Sequence, residues 1–440
     1  MSPHRKRRPV VLYQPTDDGS VMPLGLLAVG SWLSGEHVVV VDGRFELAPE
    51  SRVVELARGA LCLGVSARTG PGLREALRVS AAARAESPGL PIVWGGPHPT
   101  LHPGSCLDSG VVDACAVGAG EEPLGAAVSA LRAGHSLREV GLLTVAGEEA
   151  CAPAPPPTRL WPRADYTLLD LERHFESRGG RRLDYCSSRG ARDAGTWMGL
   201  RAERVVAETR ELSERYRLAE VLFQDEDFFA DPERVDTIAL GMLEGGPLPW
   251  QGGARPEDVT AAGPERLRLL LESGCRRLTL AVRPGGAARD RLLEAGARLH
   301  AAGLAARFVF DVEEPQDGAD SLKSAVAVAR SLCALDARFE TPIRRVPDLR
   351  PEGAPTLEGW AARAEAPWAD RRAERRRARA TFFFGEAQRD PGRRLGKRLV
   401  RLLALVRVRV GYFGLDVDRL AVEAAAVLRT GRARQPPQND

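Results

Sequence analysis

Three kinds of stretch in this chain carry residues whose types and spacing could do chemistry. The first is a set of segments rich in glycine, serine and proline: Ser66 to Gly72, Gly95 to Thr100 and Gly118 to Glu122. Glycine lets a backbone approach a bulky ligand closely, although tight turns alone would also call for it. The second is the polar run Gln224, Asp225, Glu226 and Asp227, which suits a polar ligand or substrate and equally a solvated turn. The third is His98, in a GGPHP turn. Imidazole suits transition metals, yet a turn histidine is more often a hydrogen-bonded loop residue. The seven cysteines, at 62, 106, 115, 151, 186, 275 and 333, show no CxxC and no zinc-type spacing. Most of them read as small buried hydrophobes.

The elements that must position these groups follow from the hydrophobic pattern. The segments RPVVLYQP, HVVVVDG, LCLGVSA, PIVWGGP, DACAVGAG and GLLTVAG within residues 1–150 are strand-like. They are separated by helical patterns such as LGLLAVGSWLSG and GLREALRVSAAARAES. Near-continuous apolar strands alternating with helices predict a parallel, doubly wound, Rossmann-like sheet, with ligands beyond the carboxyl ends of its strands. The glycine-rich segments fall at those ends. CAPAPPPTRLWP, residues 151–162, cannot join a sheet and predicts a Pro-rich linker over 151–179. After it, AEVLFQDED, PLPWQGGA, CRRLTLAV and ARFVFDV alternate with helices over 180–350, predicting a full or partial β/α barrel. Residues 351–430 read as a helical C-terminal extension with basic amphipathic faces, and 431–440 as a disordered tail.

Bulk properties bound the function classes. The chain has 440 residues, of which 44% are hydrophobic and 28% charged, so core burial is not limiting. With 62 basic and 59 acidic residues the net charge is +3, and no global field points to nucleic acid. HRKRRP at the N-terminus is basic but precedes no apolar h-region, and no apolar run approaches about 18 residues. A cytoplasmic protein that is not integral to a membrane is expected. The Ala, Arg, Gly and Pro bias fits a GC-rich bacterial genome.

The ordered segments MPLGLLAVGSWL, VVVVDG, VSARTG, WGGPHPT and VGAGEEPL resemble the cobalamin-binding branch of the radical S-adenosylmethionine (SAM) superfamily, in which an N-terminal B12 domain lacks the DxHxxG motif. YCSSRG, FQDEDFFADPERV and WQGGARPEDVT continue the resemblance downstream. The resemblance implies cobalamin contacts from Ser66, Arg68, Thr69 and Gly70, with hydroxyl and guanidinium groups on the corrin amides. It implies close backbone approach at Gly95, Gly96 and Pro97, with His98 beside them, and again at Gly118, Gly120 and Glu121. It places Gln224, Asp225, Glu226, Asp227, Arg255 and Arg283 around the barrel pocket. Family members commonly leave the lower cobalt face without a protein ligand, which bears on His98.

In the family, SRG is followed by C-x-x-x-C-x-x-C, three thiolates that hold a [4Fe-4S] cluster for SAM. Aligned on Ser188, Arg189 and Gly190, those positions carry Ala191, Gly195 and Met198. A methyl group and a hydrogen do not ligate iron, and a neutral thioether is a poor replacement for thiolate. Cys186 leaves at most one nearby thiol. The family's G-x-E-S-G strand end becomes Ala281, Val282, Arg283, Pro284 and Gly285, and its G-x-P-G-E-T segment becomes the acidic stretch 311–321. Cobalamin is therefore the expected cofactor, a [4Fe-4S] cluster is not expected, and SAM binding stays open. The expected function is a corrinoid-binding accessory protein or pseudoenzyme in specialised metabolism, with a small-molecule substrate or a protein partner. The alternative is a cobalamin-dependent, methyltransferase-like enzyme without radical chemistry. The basic helices would suit an interaction protein as a third class.

Overall fold

The structure is a computed structural model that describes residues 7–16, 21–246, 248–282, 288–311 and 337–340. Arg283, Pro284, Gly285, residues 312–321, the C-terminal extension and the tail lie outside the described residues. The described residues fall into two compact units, one ending at Arg178 and one beginning at Gly179.

The first unit is built on β1 (Val10–Gln14), β2 (Val38–Asp42), β3 (Cys62–Ser66), β4 (Ile92–Gly95), β5 (Ala114–Cys115) and β6 (Thr144–Val145). Their order across the sheet is β2-β1-β3-β4-β5-β6. β1 pairs with β2 on one side and β3 on the other, both parallel, so the winding reverses between β1 and β3. This is the strand order in which ligands sit at the carboxyl ends near the switch point. All six strands expected from sequence are present. β6, however, runs antiparallel to β5, so the edge departs from the all-parallel sheet the apolar runs suggest. Residues 134–143 follow the helix Glu121–Ala133 and carry the chain back before it enters the edge; mixed edges of this kind are common.

Alternation along each strand builds two cores. Val11, Tyr13, Leu63, Val65, Ile92 and Trp94 meet Val53, Leu73, Ala76 and Val79 of the helices Pro49–Ala57 and Pro71–Glu86. Val10, Leu12, Cys62, Val93 and Ala114 meet Leu26, Leu124, Ala127 and Val128 of the helices Leu24–Trp32 and Glu121–Ala133. That both strand faces are apolar is the reason helices cover both. Trp94 is fully buried, and its indole Nε1 donates to Ser80 Oγ at 3.0 Å.

The proline-rich connector is docked on this unit. Asp165 N donates to Ser31 Oγ at 2.8 Å, and Arg173 Nη1 to Phe45 O at 2.7 Å. His174, only 2% exposed, lies edge-on to Phe45 and 3.6 Å from Asp42.

The second unit holds β7 (Arg182–Tyr185), β8 (Ser188–Arg189), β9 (Met198–Gly199), β10 (Glu220–Phe223), β11 (Trp250–Ala254), β12 (Cys275–Val282), β13 (Ala305–Asp311) and β14 (Ala337–Glu340). Six of them form a parallel sheet in the order β14-β13-β12-β11-β10-β7, while β8 and β9 make a small antiparallel hairpin. A strand order that follows the sequence, with helices between successive strands from β7 to β13 of this sheet, is that of consecutive βα units. Phe223, Phe228 and Trp250 pack as neighbouring rings, and Trp250 Nε1 donates to Ser273 Oγ at 3.2 Å.

Replacing a fully buried indole leaves a cavity as well as lost apolar burial. Trp94→Ala is expected to destabilise the first unit by about 3–5 kcal/mol, read as a lower urea midpoint by circular dichroism.

Candidate functional site

In the first unit the candidate residues gather on the loops that follow β3, β4 and β5. The loop after β3 carries Ser66 and Thr69 part-exposed and Arg68 exposed, and Gly70 adopts φ +123 just before its helix. After β4, Gly96 has φ +94, and a Cβ there would come within 3.0 Å of Ala67 O. Glycine is thus required by both conformation and space. This close approach lets His98 N donate to Ala67 O at 3.1 Å. The His98 imidazole is fully buried, with Nδ1 3.0 Å from Thr69 Oγ1. Burial, and to a lesser degree His102, brings its pKa down to about 3, so the ring is neutral. Pro97 is exposed, Gly95 is part-exposed, and Gly118, at φ +82, faces open space. Gly118 N donates to Thr100 Oγ1 at 3.0 Å. Gly120 is part-exposed, and Glu121 begins the following helix with its side chain buried.

A further group at this end of the sheet escapes sequence reasoning. Glu75, from the helix after β3, accepts from the Tyr13 hydroxyl, from Thr16 N at 3.2 Å and from Thr16 Oγ1 at 3.1 Å. It fixes the chain as it leaves β1. Nothing in the spacing of Tyr13, Thr16 and Glu75 announces the contact, because β1 and the helix meet only in the folded unit.

In the second unit the residues after β10 split by their exposure. Gln224 and Glu226 are exposed, whereas Asp225 and Asp227 are buried. Asp225 accepts from Ser187 N at 3.1 Å, Ser187 Oγ at 2.6 Å and Ser188 Oγ at 2.5 Å. Burial nonetheless raises its pKa, outweighing those bonds. Arg234 reaches the same segment from the helix Pro232–Glu244, donating to Leu200 O at 2.7 Å, Ser187 O at 3.0 Å and Ser187 Oγ at 2.9 Å.

Asp227 binds the loop between β8 and β9 directly. It accepts from Arg192 Nη2 at 2.7 Å, from Arg192 N at 3.1 Å and from Arg255 Nη2 at 2.8 Å. Arg192 Nη1 also pairs with Asp258 at 2.8 Å, and Arg255 Nη1 with Asp193 at 2.6 Å. Trp197 Nε1 donates to Asp227 O at 3.0 Å. The Asp227 side chain is only 1% exposed. Burial alone would raise its pKa, but the Arg192 fork, the Arg192 N–H and the Arg255 charge hold it below the usual carboxylate range.

The polar residues 224–227 expected at the barrel pocket therefore divide into two exposed side chains, Gln224 and Glu226, and two, Asp225 and Asp227, that brace the segment around Ala191, Gly195 and Met198. Arg255 belongs to the brace. Sequence reasoning did not find Arg192, Asp193, Ser187, Ser188, Arg234 and Asp258. Gly195 takes φ +64 in open space, and Met198 pairs with Arg189 across the hairpin. At Gly190 a Cβ would lie 2.4 Å from Thr196 O, so the loop closes tightly on itself. Cys186 Sγ donates to Ser188 O at 3.1 Å, and burial, with Asp225 nearby, pushes its pKa up to about 12. It is a neutral thiol near pH 7, a poor metal ligand.

Residues 16–128 match the family model of the B12 binding domain. The resemblance of the N-terminal segments read from the sequence is borne out by that match. Among individual proteins, the chain is 26% identical over 326 residues to an uncharacterized methyltransferase of Pyrococcus horikoshii. That match covers 69% of this chain and 66% of the relative, just under two thirds of its length. The fold is that of TsrM from Kitasatospora setae, a radical S-adenosylmethionine methyltransferase solved with tryptophan substrate and the SAM analog aza-SAM. The TM-score is 0.61 at 17% identity, covering 76% of this chain and 73% of TsrM. A second TsrM structure, with cobalamin and a [4Fe-4S] cluster bound, gives 0.61 at 16% identity, covering 77% and 76%. OxsB, a cobalamin-dependent SAM radical enzyme solved with aqua-cobalamin and SAM, gives 0.60 at 16% identity, covering 82% of this chain and 55% of OxsB. Among the described residues, no helix is long and apolar enough to cross a membrane.

Asp227→Asn keeps the shape of the side chain and removes its charge. Charge-assisted bonds contribute about 1.5–3 kcal/mol each, so tryptic cleavage at Arg189 or Arg192 should accelerate at least about tenfold, followed by mass spectrometry. The Asp227 pKa is depressed, so its stabilisation is present at and above the usual carboxylate range and is lost only as pH falls below it. Loop protection in the wild type should persist at pH 5.

Proposed function

We propose that this chain binds cobalamin through its first unit and acts as a corrinoid-binding accessory protein or pseudoenzyme without a [4Fe-4S] cluster. The observation that carries the reading is a contrast between the units. The strand-end loops of the B12 binding domain match are formed and partly exposed, while the loop bearing Ala191, Gly195 and Met198 has no thiolate at those positions and is filled by ion pairs.

The fit to cobalamin rests on the loops themselves. Gly118 leaves open space at a strand end, and Ser66, Arg68 and Thr69 present hydroxyl and guanidinium groups suited to amide-rich ligands. When bound, cobalamin supplies cobalt-centred alkyl transfer, a chemistry belonging to the cofactor rather than the protein. The chain's contribution is to bind and orient it, with Gly96 and Gly118 permitting close backbone approach. A cluster does not fit the second unit in the same way. Iron clusters are held by soft anionic sulfur, and Cys186 is a single thiol beside Ala191, Gly195 and Met198. SAM recognition through an open iron position has no support from these side chains.

A second reading is favoured by the names of relatives. The Pyrococcus horikoshii protein and TsrM are both described as methyltransferases, so a cobalamin-dependent methyl transfer to a small-molecule nucleophile, without SAM cleavage, fits the same first unit.

The test is purification of the full chain under anaerobic conditions with hydroxocobalamin, iron, sulfide and reductant. The expected outcome is a stoichiometric corrinoid absorption spectrum with iron and sulfide near background. A brown chromophore with a full cluster complement of iron and reductive SAM cleavage would overturn it. Demethylation of methylcobalamin by a candidate nucleophile would move the assignment to the methyltransferase.

A further inference from the structure

The segment Gly96–Thr100 holds its neighbours on both sides. Toward the loop after β3, His98 N donates to Ala67 O at 3.1 Å, and His98 Nδ1 lies 3.0 Å from Thr69 Oγ1. Toward the loop after β5, Thr100 Oγ1 accepts from Gly118 N at 3.0 Å while donating to Gly96 O at 2.8 Å. One short stretch of chain thus sets the spacing of all three loops that carry the corrinoid candidates.

We infer that His98 and Thr100 are positioning residues of the corrinoid site, and that His98 acts on bound corrinoid through Thr69 rather than as a ligand to cobalt. The inference rests on the corrinoid reading of the first unit. A ligand to the central metal of a flat macrocycle must project from the protein surface into the ring face. The His98 imidazole has no exposed surface, and its δ nitrogen is already bonded. Presenting the ring to cobalt would require opening the fold around a side chain that it buries completely. Thr69, by contrast, is part-exposed beside the exposed Arg68. Fixing its hydroxyl fixes the direction in which this loop offers its donors, and preorganised loops save the cost of ordering on binding. The neutrality of the ring keeps this bond in place across the working pH range.

The test titrates hydroxocobalamin into the full chain and its variants, with circular dichroism confirming the fold of each. Thr69→Val removes the hydroxyl at nearly constant shape and should weaken Kd up to about tenfold, the worth of one hydrogen bond. Thr69→Ser keeps the hydroxyl, and His98→Asn keeps a polar atom at the δ position; both should stay close to wild type. The second readout is electron paramagnetic resonance of protein-bound cob(II)alamin from cells fed 15N-histidine, in which the nitrogen splitting should be unchanged from the unlabelled protein. A 15N-dependent change in that splitting makes a histidine the cobalt ligand and overturns the inference. Wild-type affinity in Thr69→Val, with corrinoid bound normally by the parent, also overturns it. Failure of the wild type itself to take up corrinoid would instead sink the reading of the first unit.

Discussion

Asp227, a carboxylate almost wholly withdrawn from water, grips two guanidinium groups at the carboxyl end of a parallel strand, and the loop above β10 takes its form from that grip. A lone charge so placed would be costly, and removing one partner of such a pair leaves the other uncompensated. The chain meets the requirement with Arg192 from the loop, Arg255 from the end of β11 and an indole N–H on the neighbouring carbonyl. Arg192 lies directly after Ala191, so the brace occupies the stretch in which the resemblance would place cluster thiolates. Charge pairing orders this segment with side chains already present in the chain.

The first unit solves a different problem with hydrogen bonds between its loops. Its sheet is covered by helices on both faces, and the loops at the carboxyl ends of the strands carry polar groups. There the loops bond one another: His98 to the β3 loop, Thr100 to the β5 loop and Glu75 to the chain leaving β1. Hydrogen bonds between loops cost little to solvate at the rim and hold backbone donors in fixed directions. These loops lie within residues 16–128, the stretch that matches the B12 binding domain.

Much of this was legible in the amino-acid sequence, for a definite reason. Apolar runs such as VVLYQ and VVVVD report strands by their shortness, their β-branched content and the turn residues that bound them, whereas the longer intervening segments carry helical spacing. The two-residue strands β8 and β9 were not legible, because a segment that short has no period. β7 is likewise brief and merges with the polar YCSSRG stretch. The antiparallel turn of β6 depends on how residues 134–143 cross the edge, which no residue type encodes.

The sequence by itself determined the alternating architecture, the glycine-rich strand ends and the identity of Ala191, Gly195 and Met198, since each is a matter of residue type, order or period. Only the tertiary structure decided which acids are braces and which face water, and that the connector docks on the first unit. Asp225, Glu226 and Asp227 are indistinguishable as letters. Burial and partners 28 or more residues away separate them, and those exist only once the strands have brought Ser187, Arg192 and Arg255 to the same end of the sheet.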